Sequence, residues 1–180
     1  MKPKRVIAFA GPAGVGKSTA AQYLTVEPRL GKVLTLSFAA PMKKMVATIL
    51  REGSDSFKQE HKNDPLYGLC GKSPRYLLET IGTEWGKNLI GQNIWLDIVA
   101  NQILSTSFDT YVIDDLRTEA EADYIHKVFG GTVIELSRDG VAYKCDHITS
   151  SQIPDRCIDH RVTTVSVSDL WVLRELARPM

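Results

Sequence analysis

Residues 11–18 of this chain read Gly11-Pro12-Ala13-Gly14-Val15-Gly16-Lys17-Ser18, and Thr19 follows. The spacing G-x-x-x-x-G-K-S/T suits the binding of phosphate. Glycines let successive backbone N–H groups curl toward one oxyanion and approach it without a Cβ in the way. Lys17 brings a compact ammonium that can reach the β- and γ-phosphates of a nucleoside triphosphate. The Ser18 hydroxyl is a hard oxygen ligand of the kind Mg2+ takes. Gly11, Ala13, Gly14, Val15, Gly16, Lys17, Ser18 and Thr19 are therefore the candidate ATP-binding residues. A glycine-rich turn that binds nothing is the alternative, and a match at every fixed position argues against it.

A second group lies about a hundred residues on. Asp114 and Asp115 end a short apolar run, and Arg117 follows two residues later. A carboxylate after a strand beside the loop can hold the Mg2+ shell or orient an attacking group. Nothing local decides between Asp114 and Asp115. Arg117 adds a planar fork that matches phosphate. Arg75 puts a positive charge in the first turn of a predicted helix, against the dipole, and an anion there would answer the mismatch. Cys145, His147, Cys157 and His160 could suggest zinc, but their spacing is not that of a standard finger.

These residues need elements to carry them. Residues 6–10 form an apolar run read as a buried strand, and 19–24 a helix with Ala20, Ala21 and Leu24 facing inward. Further strands are expected at 32–38, 111–113, 132–136 and 164–167. Helices are expected at 41–50, from Pro74 through Trp85, at 94–103, at 119–129 and from Asp169, capped by Ser168. Trp85 and Trp95 fall on apolar helix faces, where packing competes with stacking on a base. Residues 53–73 read as an exposed loop. Strands alternating with helices predict an α/β fold: a five-stranded parallel sheet with helices on both faces and a ligand at its carboxyl edge.

Composition narrows the function. The chain has 180 residues, 43% hydrophobic and 24% charged, with a net charge of +1. That fits one soluble domain over residues 1–180 and gives no reason to expect a nucleic-acid polymer or a membrane as partner. The apolar run after the basic N-terminus is too short for a signal peptide, so a cytoplasmic protein is expected. Three cysteines do not make a disulfide framework. The guanine-reading Asn-Lys-x-Asp segment of GTPases is absent from the sequence. The size favours a small-molecule kinase, with an acceptor-binding helical region at about 39–109. A cover at about 138–161 would carry Arg138, Lys144, Arg156 and Arg161.

Several segments also carry a family resemblance: Arg75-Tyr-Leu-Leu-Glu-Thr-Ile-Gly-Thr-Glu-Trp85, then Trp95, then Val112-Ile-Asp-Asp-Leu-Arg117. Gly130-Gly-Thr-Val-Ile-Glu-Leu-Ser-Arg138 and Asp146-His-Ile-Thr149 continue it. In this order behind the phosphate loop, they resemble the bacteriophage-type deoxynucleoside monophosphate kinases, from residue 6 to about 167. The resemblance implies a three-layer P-loop kinase fold, and transfer of the ATP γ-phosphate to a 2′-deoxynucleoside 5′-monophosphate. It implies Mg2+ at Ser18 and Asp114, and it leaves room for a homodimer and for the host cytoplasm if phage-encoded. By position, Arg75 and Arg117 would hold the acceptor phosphate, with Trp85, Asp114 and Asp115 also in the acceptor site. Lys17, Asp115 and Arg138 would carry catalysis, Arg138 by reaching over ATP. One departure stands out: many related small kinases have an Asp after the second strand, where this chain reads Ser37-Phe-Ala-Ala-Pro41. A general base there is excluded, which shifts weight onto Asp114 and Asp115. Two other readings stay open, a kinase of another small acceptor such as dephospho-coenzyme A and a non-catalytic nucleotide sensor.

Overall fold

A computed structural model describes residues 4–50, 61, 63–66, 70–142, 153–164 and 166–176. Five strands, β1 (Arg5–Ala10), β2 (Val33–Leu36), β3 (Thr110–Ile113), β4 (Thr132–Ser137) and β5 (His160–Thr163), form one sheet in the order β2-β3-β1-β4-β5. All neighbours are parallel. The expected five-stranded parallel sheet is therefore present, with β1 at its centre. Val6 to Ala10 are apolar at every position because both faces of a central parallel strand are covered, and all five are buried.

Helix α1 (Lys17–Thr25) packs Ala20, Ala21 and Leu24 into the core, the three residues its periodicity selects. They meet Ile7 and Phe9 of β1, Ile134 and Leu136 of β4, and Leu170 and Leu173 near the C-terminus. The opposite face is buried as well, at Val6, Ala8 and Val133. Here α5 (Glu119–Phe129) sits close: a Cβ on Gly131 would fall 2.7 Å from Ile125 and 2.9 Å from the Val6 carbonyl. Thr118 and Glu121 cap α5 reciprocally, and Gly130 ends it in the left-handed region.

The last strand differs from expectation. It lies at His160–Thr163, four residues ahead of the predicted start, paired Ile134↔His160 through Ser137↔Thr163. Only Val162 in it is buried, so an edge strand of this kind leaves little periodic signal. The final helix also starts differently. A 3-10 turn (Val167–Leu170) is capped by Ser166, not Ser168, because Asp169 reaches back to the Ser166 amide at 2.7 Å. It leads into α6 (Trp171–Leu176).

The chain forms two compact units, Met1–Ser37 with Gln102–Met180, and Phe38–Asn101. The second unit holds α2 (Ala40–Leu50), α3 (Pro74–Glu79) and most of α4 (Ile94–Ser105). Ser73 caps α3, accepting from the Tyr76 amide, with Pro74 in the first turn. A single α-helix was expected to continue through Trp85. Instead the helix widens into π turns over Thr80–Ile90, and its buried residues are Gly82 and Gly86. Trp95 lies against both glycines: a Cβ on Gly86 would fall 2.5 Å from its ring, and its Nε1–H donates to the Gly82 carbonyl at 2.9 Å. Trp95 is core, 5% exposed, whereas Trp85 is 41% exposed. The predicted loop at 53–73 lies mostly outside the described residues; of its described members His61, Asn63, Asp64, Pro65, Cys70, Gly71 and Lys72 are exposed, and Leu66 and Ser73 are partly buried. No helix among the described residues is long and apolar enough to cross a membrane.

Candidate functional site

Parallel strands place all their carboxyl ends along one edge, and that edge collects the chemistry of the sheet unit. β1 ends in the glycine loop, β3 in Asp114-Asp115, β2 in Ser37 and β4 in Ser137-Arg138. Gly11, Gly14 and Gly16 have φ of 128°, 81° and 106°, a region that disfavours side chains. At Gly11 the constraint is also steric, since a Cβ would fall 2.4 Å from the Leu136 carbonyl oxygen. Gly16, the N-cap of α1, is left-handed and its carbonyl accepts from the Ala20 amide at 2.9 Å, so the helix starts directly from the glycine loop.

Lys17 donates to the carbonyls of Gly11 at 2.7 Å and Pro12 at 2.8 Å. Its pKa is lowered from the ordinary 10.5 to about 8. Burial is the main cause and the Arg117 charge the next, while Asp115 and Asp114 oppose them. Arg117, Asp114 and Asp115 are thus the charges that act on Lys17.

The acidic pair is divided between two hydroxyls. Ser18 Oγ donates to Asp114 Oδ2 at 2.8 Å, and Ser37 Oγ donates to Asp115 Oδ2 at 2.6 Å. The register explains the second contact. Leu36 lies opposite Ile113, and the Asp114 amide donates to the Leu36 carbonyl at 3.2 Å. Ser37, the first residue after β2, then falls within reach of Asp115, the second residue after β3. Ser37 is the residue that sequence reasoning missed, having noted it only as a missing carboxylate. Its place directly after β2 was the available signal. Ser18 and Asp114, a hydroxyl and a carboxylate in contact beside the loop, are hard oxygen donors that suit Mg2+.

Arg117 is exposed, and its amide donates to Glu121 Oε2 at 2.7 Å, in the cap of α5. Arg138 is exposed at the end of β4, where Val141 donates back to its carbonyl at 3.0 Å. Arg75 and Trp85 belong to the Phe38–Asn101 unit, where Arg75 Nε donates to Glu79 Oε1 at 2.9 Å.

Two arginines expected in a cover are ion-paired to carboxylates. Arg161 is a residue of β5, bonded to the buried Glu135 at 2.9 Å and to Asp155 at 2.5 Å. Arg156 pairs with Glu119 of α5. Both charges are matched by carboxylates that lie far off in sequence or on another element, which periodicity does not register. Lys144, Cys145, His147 and the rest of 143–152 lie outside the described residues. Of the suspected zinc set, Cys157 is buried with its thiol 3.8 Å from Asp123, and burial raises its pKa; His160 is exposed in β5.

A family model for deoxynucleotide monophosphate kinase matches residues 71–167. This chain belongs to that family. The match includes Arg75, Trp85, Asp114, Asp115, Arg117 and Arg138 of the candidate site. The phosphate loop lies before the matched segment and stands on its own motif and geometry. The deoxynucleoside-5′-monophosphate kinase of Escherichia phage T5 is 32% identical over 109 residues, 57% of this chain and 43% of that protein. The match thus spans less than half the length of this curated relative of the family. Among solved structures, the tunicamycin resistance protein of Deinococcus radiodurans has a TM-score of 0.45 at 12% identity, over 98% of this chain and 97% of that one. A structure from the PezAT chromosomal toxin–antitoxin system of Streptococcus pneumoniae has a TM-score of 0.41 at 14% identity, over 77% and 47%. The fold of this chain is read from its own strand order and glycine loop rather than from such distant likenesses.

Proposed function

We propose that this protein is a kinase that transfers the γ-phosphate of ATP to a 2′-deoxynucleoside 5′-monophosphate, giving the diphosphate. The observation that carries the reading is the contact of Ser18 with Asp114, which joins the phosphate loop to the acidic end of β3 in a chain of this family. The loop amides and Lys17 would bind the ATP phosphates. Ser18 and Asp114 would hold Mg2+, which when bound offsets charge on the phosphate oxygens.

The acceptor chemistry fits the residues present. A phosphate monoester has its second pKa near 6, so at neutral pH the attacking oxygen is mostly deprotonated already. No strong base is needed, and Ser37 in place of a carboxylate is no handicap. An acceptor that attacks through a hydroxyl, as dephospho-coenzyme A would, has a proton to lose and fits less well. The main obstacle is repulsion between two anions, which positive charge relieves. Arg75 and Arg117 are proposed for the acceptor phosphate, Arg138 and Lys17 for the transferring group, and Trp85 for the deoxynucleoside. Asp115 balances this positive charge. The 39–109 region as acceptor-binding segment, a homodimer, and action in the host cytoplasm belong to the same proposal.

The test is an acceptor panel of the deoxynucleoside monophosphates and dephospho-coenzyme A, each with ATP and Mg2+. Deoxynucleoside diphosphate should form. ADP production with dephospho-coenzyme A alone would redirect the assignment, and none with any acceptor would favour a nucleotide sensor.

A further inference from the structure

Ser37 follows the last residue of β2, is partly buried, and points its hydroxyl at the carboxylate of Asp115 at 2.6 Å. A hydroxyl here donates a charge-assisted hydrogen bond, whereas a carboxylate would repel at the same distance. The contact joins an edge strand to the residue that, with Asp114, offsets the burial of Lys17. We infer that Ser37 is a positioning residue for phosphoryl transfer, holding the Asp115 carboxylate in one geometry at the end of β3 through its hydroxyl. This rests on the kinase reading above and extends it to a residue outside the motifs. Asp114 has its own hydroxyl donor in Ser18, so the two carboxylates are held from opposite neighbours of the β3 end. A fixed carboxylate needs no reorganisation when charge moves during transfer, which is the condition for electrostatic support of a transition state.

The experiment compares kcat and the two KM values in Ser37→Ala, Ser37→Thr and Ser37→Asp, and repeats Ser37→Ala in an Asp115→Asn background. Ser37→Ala should lower kcat about tenfold while KM for ATP stays within about twofold, the loss expected of one hydrogen bond to a charged group. Ser37→Thr should recover most of the rate, and Ser37→Asp should fall below Ser37→Ala. With Asp115→Asn in place, Ser37→Ala should cost less than about twofold more, because the two residues act as a unit. An unchanged kcat in Ser37→Ala, or the full loss with Asp115 already replaced, overturns the inference. Crystal structures of wild type and Ser37→Ala give a readout independent of turnover. The Asp115 side chain should change rotamer or split between two, and an identical side chain overturns the inference. Wild type that makes no diphosphate overturns the kinase reading instead, and the crystallographic arm still decides whether Ser37 positions Asp115.

Discussion

Ser18 and Asp114 stand 96 residues apart in the chain, and the serine hydroxyl donates to the aspartate at 2.8 Å. The contact exists because β3 runs parallel beside β1, with Ala8 opposite Ile113, so that the residue after β3 falls next to the start of α1. If this pair holds Mg2+, Asp114→Asn should raise the Mg2+ concentration for half-maximal turnover by roughly tenfold or more. Ser18→Ala should act in the same direction. The measurement is rate against free Mg2+ at fixed nucleotide concentrations, and an unchanged curve for both variants removes the pair from the metal site.

Lys17 gives a pH signature. In the free protein its pKa is about 8, so kcat/KM for ATP should fall as pH rises through that value. Binding of the anionic triphosphate favours the charged form, so the limb should move to higher pH in kcat. Stability runs the other way. Folding lowers the proton affinity of this lysine, the unfolded chain holds more protons between about 8 and 10.5, and stability from this group rises with pH in that window. Lys17→Ala should lower turnover on the order of a thousandfold with the circular-dichroism melt preserved. Near-normal turnover in that variant refutes the role.

Arg117 and Arg75 test the acceptor assignment. Loss of either fork should raise KM for the deoxynucleoside monophosphate by roughly tenfold to a hundredfold and leave KM for ATP almost unchanged. Lysine at either position should rescue only in part, since a point charge lacks the planar fork. Arg117 also lowers the pKa of Lys17, so in Arg117→Ala the alkaline limb should shift upward. Variants that lose ATP and keep the acceptor would invert the proposed assignment.

Gly86 tests the packing of the helical unit. A methyl group there would meet the Trp95 ring at 2.5 Å, and Trp95 is fully engaged through its bond to Gly82. Gly86→Ala should destabilise by about 1–3 kcal/mol through overpacking, read as a lower denaturant midpoint. Gly14→Ala, where nothing lies within 4 Å, meets no such wall and should act through its backbone conformation and the loop chemistry instead. Equal stability of Gly86→Ala and wild type would refute the close contact.

The phosphate loop, the central strand and the inward face of α1 were legible in the sequence because each is decided within about ten consecutive residues. Glycine at fixed intervals, an unbroken apolar run and a helical period leave local marks, and the structure reproduces Ala20, Ala21 and Leu24 as the buried residues. Ser73 ahead of Pro74 is local in the same sense. The rest was decided by register between distant segments. Ser37 and Asp115 are 78 residues apart, and only the pairing of Leu36 with Ile113 makes them partners. Glu135 and Arg161 face each other across β4 and β5, a pairing that no local pattern announces. Trp85 and Trp95 looked alike by periodicity, yet two glycines gave Trp95 the space and left Trp85 at the surface. β5 has one buried side chain and is held by its backbone ladder, so local pattern could not place it. Local chemistry decides where a phosphate can be bound; the division of Asp114 and Asp115 between two serines depends on how strands from different parts of the chain align.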